Sequence, residues 1–385
     1  MYRKALLSLT ILFFMMGFIT CLNDILVPFL KSIFQLDYSQ AALVQFCFFG
    51  AYGLTSIPAS KLIEKVGYQK GMVIGFIITA FGCLLFFPAV SFHTYGLFLA
   101  ALFILATGVV ILQVAANPFV SVIGPKETAS ARLTMTQAFN SFGTFLAPFF
   151  GSILILSKLE ESNNIEAVKF PYLFIAVVLV VIAFILGKIQ FPTLEAPSTE
   201  EEASWTSVLK EKNLILGMIG IFTYVGAEVA IGSFLVNYIT GIVPMSETQA
   251  ATYIAFYWGG AMCGRFLGIY TLKLFSPGKV LIVHSILAIA LILTSINTTG
   301  FLAIYTLIAV GFCNSIMFPT IFTLAIKGFE KSAEKPSGLL ATAIIGGAFI
   351  PLFTGQIADA SGLATSFILS AICYAYIAFY GFKWR

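Results

Sequence analysis

Residues Gly17 to Pro28 read GFITCLNDILVP, and they sit inside the first long apolar run of the chain. No Lys or Arg falls between Lys4 and Lys31, so Asn23 and Asp24 lie within a stretch long enough to cross a bilayer. A carboxylate at that depth costs about 2.5–3.5 kcal/mol to insert. Such a residue normally faces a protein-lined cavity, which makes Asp24 a functional candidate from the outset. The competing reading is a packing residue bonded to a neighbouring helix, and the insertion cost weighs against it. The rest of the chain decides.

Of 385 residues, 59% are hydrophobic and 10% charged, with a mean hydropathy of +0.98. That balance excludes a water-soluble globular domain and indicates an all-α polytopic membrane protein, with the lipid bilayer as its first partner. The cysteines (Cys21, Cys47, Cys83, Cys263, Cys313 and Cys373) all fall in apolar runs. Without CxxC or Cys/His spacing they give neither a disulfide framework nor a metal site. The first apolar run continues past Pro28 without a small-residue cleavage site, so it is expected to stay as a membrane helix. No cofactor and no nucleic-acid partner is expected, and a monomer is.

Twelve apolar runs are each long enough to span. They lie near 6–30, 39–63, 69–90, 95–122, 133–157, 170–190, 213–240, 249–275, 278–297, 299–326, 337–357 and 363–382. The loop from Ser157 to Lys169 (SKLEESNNIEAVK) is acidic and hydrated. A second long connection, residues 191–212, carries Pro192, Pro197 and Glu200-Glu201-Glu202, a linker composition. It separates a first six-helix half, 1–190, from a second, 213–385.

Charge tests this count. With the N-terminus inside, eighteen of the 21 basic residues fall on the cytoplasmic side, and only Lys31, Lys158 and Lys169 on the other. Both termini and the linker are therefore expected to be cytoplasmic, in a multi-pass protein of the inner membrane. The halves also echo each other. Ser39-Gln40-Ala41-Ala42 opens helix 2 as Thr248-Gln249-Ala250-Ala251 opens helix 8, and Gly50 and Gly259 follow at the same distance. Gly143-x4-Pro148-x2-Gly151 in helix 5 resembles Gly346-x4-Pro351-x3-Gly355 in helix 11. Two six-helix halves with weak internal repetition are the architecture of alternating-access transporters.

Of the 17 acidic residues, only Asp24 and Glu228 lie deep in a span. A carboxyl group taken out of water favours its neutral form, so alternating access would load and unload a proton there. Asp24 is the first candidate for proton coupling and Glu228, in YVGAEVAIGSF, the second; no basic partner is expected at the depth of Glu228. The uncharged polar residues at depth are Asn23, Gln45, Gln113, Asn117, Gln137, Asn140, Asn237 and Asn314. Gln113 and Asn117 are four apart and Gln137 and Asn140 three apart, so each pair shares a helix face. Amides both donate and accept, which suits a polyhydroxylated neutral ligand. For any one of them, interhelical bonding is an equally good reading. Their clustering on helices 1, 4, 5 and 7 favours a cavity. Phe139, Tyr224, Phe234, Tyr257 and Phe318 are candidates to stack on a sugar ring, though in so aromatic a chain each is more often packing.

The loop after helix 2, Ser60-x3-Glu64-Lys65-x-Gly67-x2-Lys70, resembles the G-x3-D-R-x-G-x-R/K signature of the major facilitator superfamily. An acid at a helix end can pair with a neighbouring terminus or base and latch one conformation, which points to Glu64, Lys65 and Gly67. The second half keeps Gly264-Arg265 with Lys273 and Lys279. Arg265 is grouped with this latch as a structural residue near the cytoplasmic end of helix 8.

Six stretches together are similar to the fucose–hexose:proton symporter family of that superfamily, and above all to its glucose/galactose transporters. They are Gly17–Pro28, Phe46–Tyr52 (FCFFGAY), Leu112–Phe119 (LQVAANPF), Gln137–Gly143 (QAFNSFG), Tyr224–Tyr238 (YVGAEVAIGSFLVNY) and Phe318–Phe322 (FPTIF). The resemblance implies the twelve-helix major facilitator fold and proton-coupled uptake of a monosaccharide. It places proton translocation on Asp24 and sugar contacts on Gln137 and Asn140. One departure stands out: Gln113 occupies the place of a helix-4 glutamate of the fucose symporters, and Phe318 that of a tyrosine. Glu228 stands where those proteins have an amide, as though the second carboxylate had moved across the cavity, there to bind sugar hydroxyls or to help couple the ion.

The leading expectation is a secondary active importer of a glucose- or galactose-type hexose, coupled to H+ or, with the same carboxylate and amides, to Na+. L-Fucose and amino sugars are alternatives. A drug-type efflux antiporter would fit Ala147-Pro148-x2-Gly151, but the amide-rich set of buried residues argues against it. An enzyme would need clustered His, Cys or carboxylates near an interface, and His93 and His284 stand alone.

Overall fold

The computed structural model of the chain describes residues 2–34, 38–151, 169–189, 191–192, 204–329 and 331–384. Among them the chain forms α1 (Tyr2–Phe34), α2 (Tyr38–Val66), α3 (Tyr68–Ser91), α4 (Tyr95–Val122), α5 (Ala129–Gly151) and α6 (Lys169–Lys188). The series continues with α7 (Lys212–Ile242), α8 (Glu247–Leu274), α9 (Pro277–Ile296), α10 (Gly300–Ala325), α11 (Glu334–Ser361) and α12 (Leu363–Phe382). No strand occurs among the described residues. Each expected apolar run is met by one of these helices, and nine helices hold a described stretch long and apolar enough to cross a membrane. α1, α2 and α11 outrun their apolar stretch by about a turn at one end or both, because polar end residues such as Glu64 and Lys65 stay helical. The outer surface is unlike that of a soluble protein. Phe170, Phe184 and Leu274 are 73%, 62% and 76% exposed, which suits hydrocarbon and not water.

Helix ends are closed by named side chains. Ser246 caps α8 by accepting on its hydroxyl from the Gln249 backbone N–H at 3.2 Å, and the Gln249 side-chain oxygen accepts in return from the Ser246 backbone N–H at 3.2 Å. Pro277 starts α9, where a missing N–H leaves nothing unsatisfied. At the far end of α6, Gln69 donates to the carbonyls of Leu186 and Ile189 at 2.8 and 2.7 Å. Gly67 joins α2 to α3 with φ of 84°, a left-handed backbone that side-chain-bearing residues avoid.

Two helices are less regular than their continuous apolar runs led one to expect. α11 passes through a 3-10 turn at Ala343–Ile345. α10 is interrupted between Asn314 and Met317. Pro319 explains this second break. It has no N–H to offer the Ser315 carbonyl four residues earlier, and its ring crowds that oxygen. The carbonyl is left for another donor.

The described chain gathers into two compact units. One comprises Met1–Ile123, Phe142–Glu202 and Lys331–Thr342, and the other Gly124–Ser141, Ala203–Glu330 and Ala343–Arg385. The first part of α5 thus packs with helices of the second sequence half, and the first part of α11 with helices of the first half. The linker glutamates and the 157–168 loop lie outside the described residues.

Candidate functional site

Glu228 lies midway along α7, one turn beyond Tyr224 on the same face. The Tyr224 hydroxyl donates to Glu228 Oε1 at 2.8 Å. From α8, the Tyr257 hydroxyl donates to the Glu228 backbone carbonyl at 3.1 Å. Asn314, the last residue before the α10 break, donates from Nδ2 to the Tyr257 oxygen at 2.8 Å. Its Oδ1 accepts from the Tyr374 hydroxyl of α12 at 2.6 Å. Glu228 is 9% exposed and the other four are buried outright. Hydroxyl groups of buried tyrosines need partners, and these find them in one another's helices. Both polar atoms of the Asn314 amide are used in this chain.

Arg265 lies on α8, two turns beyond Tyr257. Its Nε donates to the Ser315 carbonyl at 3.3 Å, the oxygen released by Pro319. Its Nη1 donates to the Gln137 carbonyl at 3.3 Å and to the Ser141 hydroxyl, both on α5. The guanidinium is also near enough for its charge to act on the Glu228 carboxyl. This corrects two expectations: Arg265 is nine residues from the end of α8, and Glu228 does have a basic neighbour at its depth. The reason is the packing of α8 against the α10 break, where Gly264 leaves no side chain between them; a Cβ there would sit 2.6 Å from Ser315 Oγ.

The remaining candidates fall into place unevenly. Gln137 is buried and Asn140 half-buried, one turn apart on α5. Asn237 is exposed and lies nine residues beyond Glu228, on the opposite face of α7, so the two are not brought together. Phe318 stacks on Phe322 with centroids 5.9 Å apart, and Phe139 meets Phe266 edge-on at 6.2 Å. In the other unit, Gln113 of α4 donates from Nε2 to the Tyr52 hydroxyl of α2 at 2.9 Å, and Asn117 follows one turn on, buried. The side chains of Asn23, Asp24 and Gln45 lie outside the described residues.

For the latch, Glu64 at the end of α2 pairs with Lys335 at the start of α11, 3.0 Å apart. Beside it, the Tyr68 hydroxyl bonds the Glu334 carboxylate, and Ser337 donates to the Val114 carbonyl of α4 at 3.0 Å. Lys65 is exposed at the same helix end. Sequence reasoning counted Lys335 only as a cytoplasmic charge, and it missed Ser141 and Tyr374 altogether. For Tyr374 a signal existed: a hydroxyl inside an apolar run must find a partner. Among the described residues no three His, Cys, Asp or Glu side chains gather to hold a metal ion.

Comparison with known proteins adds a relationship. The profile of the Major Facilitator Superfamily matches residues 7–344. A glucose/galactose transporter of Brucella abortus is 51% identical over 391 residues, 99% of this chain and 94% of that protein. An L-fucose-proton symporter of Escherichia coli is 33% identical over 395 residues, covering 95% and 90% respectively. The crystal structure of the E. coli fucose:proton symporter superposes with a TM-score of 0.91 at 31% identity, over 100% of this chain and 99% of that one.

Proposed function

The chain belongs to the Major Facilitator Superfamily, and from that premise we propose that it imports a glucose- or galactose-type hexose together with protons. The observation that carries the substrate class is the 51% identity to a glucose/galactose transporter along 99% of the chain. The protein works by alternating access, as a monomer in the inner membrane with both termini cytoplasmic.

In this reading Asp24 carries the proton, and Glu228 serves as the second carboxyl group of the cycle. Sugar hydroxyls are assigned to the amides of Asn23, Gln45, Gln113 and Asn117 in the first unit and to those of Gln137 and Asn140 in the second. Glu228 supports the second role because it is buried, bonded on one oxygen by Tyr224, and close to a cation. Buried charges persist in proteins when they are paired and hydrogen-bonded, or when they do work. Asn314 belongs behind this site, since both its polar atoms are engaged by tyrosines.

The test is uptake of labelled galactose into proteoliposomes, with a pH gradient imposed and Na+ varied separately. Accumulation driven by the pH gradient and competed by glucose supports the reading. Accumulation that follows Na+ replaces the proton by sodium in the same scheme. Uptake of L-fucose without galactose overturns the hexose assignment.

A further inference from the structure

The interruption of α10 joins the surroundings of Glu228 to those of Arg265. On one side of it, the Asn314 side chain is bonded through Tyr257 to the Glu228 carbonyl, with Tyr374 holding the amide from behind. On the other, the carbonyl of the very next residue, Ser315, is held by Arg265, which also grips Gln137 and Ser141 on α5. One peptide unit thus separates the surroundings of Glu228 from the α5 segment that carries Gln137 and Asn140. Regular helix would not allow it, since the Ser315 carbonyl would then be satisfied within α10. Pro319 makes the carbonyl available, and Gly264 lets α8 come close enough to reach it.

We propose that the Asn314–Ser315 break is a relay through which Glu228 and the Gln137–Ser141 segment of α5 sense each other. Asn314, Tyr374 and Arg265 are positioning residues in it and touch neither sugar nor ion. The proposal rests on the reading in which Glu228 serves the ion and α5 the sugar, and it says how the two are linked.

The physical argument is one of competition. Arg265 has three hydrogen-bond acceptors and one carboxyl group within electrostatic reach. An ionised Glu228 draws the guanidinium toward α7, and a protonated one leaves it to α5 and Ser315. Charge-assisted bonds are about twice as strong as neutral ones, so this shift is felt at α5. Among the described residues, few groups face Glu228. They are Tyr224 on its own helix, Tyr257 and Arg265 on α8, and Tyr374 on α12. α10 presents the neutral Asn314, and α11 places the apolar Ile350 against Gly226. Linkage then requires the effect to run both ways: sugar on α5 changes the proton affinity of Glu228 by the same factor as the proton changes sugar affinity.

Ser141→Ala and Tyr374→Phe test this, because each deletes one hydroxyl from an end of the relay. Galactose affinity of the reconstituted full-length protein is measured across pH for wild type, both variants, Glu228→Gln and the two double mutants. The relay expects affinity to vary with pH in wild type and each hydroxyl deletion to cut that variation by about threefold or more. In the Glu228→Gln background the same deletions should add nothing. Affinities lowered equally at every pH, or equal effects with and without Glu228, overturn the relay. If wild type binds no hexose, the function proposed above fails, and the relay is judged without sugar. Infrared pH titration of ligand-free protein identifies the Glu228 band as the one lost in Glu228→Gln. Its midpoint displaced in Ser141→Ala sustains the relay, and an unmoved midpoint overturns it.

Discussion

Gly143 of α5 lies flat against α1, so close that a Cβ on it would run into the carbonyl oxygen of Phe14. Six helices later, Gly346 of α11 meets the Phe222 carbonyl of α7 in the same way. Both obstacles are backbone, which cannot swing aside. Gly143→Ala and Gly346→Ala are therefore each expected to lower stability by about 1–3 kcal/mol, the usual range for forced overpacking. Gly259→Ala is the control, since a Cβ there has nothing within 4 Å. It should leave stability unchanged or raise it by about 0.4–1 kcal/mol through the unfolded chain. Melting of the purified protein in detergent reads all three, and equal midpoints would remove the packing argument.

The pair also marks how far the sequence could be read. Gly143-x4-Pro148 and Gly346-x4-Pro351 stood out as an echo, and the structure gives that echo a shared geometry. The twelve helices were legible because a bilayer demands about 20 apolar residues per crossing, a constraint that shows in composition. Glu228 was legible because a carboxyl group is rare at depth. The partners of these residues were not. Lys335 pairs with Glu64 across 271 positions, a relation no local pattern encodes. Tyr374 and Ser141 are chemically ordinary and gain their roles only from what packs beside them. The α10 break was written in Pro319, yet proline inside a membrane helix does not announce which neighbour will take the freed carbonyl.

The Glu64–Lys335 pair predicts an effect on turnover. Lys335 is nearly buried, its side chain 9% exposed, while Glu64 is 35% exposed, so the pair sits between the surface and interior regimes. Removing one partner should cost about 1–2 kcal/mol, more than a surface pair and less than a fully buried one. Because the pair ties α2 to α11, Glu64→Gln and Lys335→Met are each expected to reduce the maximal rate of uptake severalfold. The exchanged pair, Glu64→Lys with Lys335→Glu, should recover part of the loss. A double exchange no better than either single change would mean that neither residue acts through the other.

Gln113 predicts a change in sugar preference. Its amide donates to the Tyr52 hydroxyl, so the group is oriented by α2 before any sugar arrives. The helix-4 position holds a carboxylate in the fucose symporters that this chain resembles. Gln113→Glu keeps the size and turns the donor into an acceptor, and Tyr52 can reverse its hydroxyl to match. Competition by L-fucose against labelled galactose should strengthen by about tenfold, the scale of one hydrogen bond in a dry site. An unchanged competition curve would place the selectivity elsewhere, with Gln137 and Asn140 of α5 next in line.

Asp24 and Glu228 should separate under two assays run on the same vesicles. Accumulation against a gradient needs the proton to move with the sugar, whereas exchange of labelled for unlabelled sugar needs only a binding site that alternates. Asp24→Asn removes the titrating group and keeps a polar side chain of the same size. It should abolish accumulation driven by a pH gradient and leave exchange. Glu228→Gln keeps an oxygen to accept from Tyr224 and the backbone bond to Tyr257, so the fold around it stands. What it loses is the charge that Arg265 feels. Exchange should weaken with it, through a Michaelis constant raised by about tenfold, because the pull of the Glu228 charge on Arg265, which holds Gln137 and Ser141 of α5, is gone. Its pH dependence should flatten as well. Both variants behaving alike in both assays would mean that one carboxyl group suffices, and Glu228 unchanged in both would remove it from the cycle.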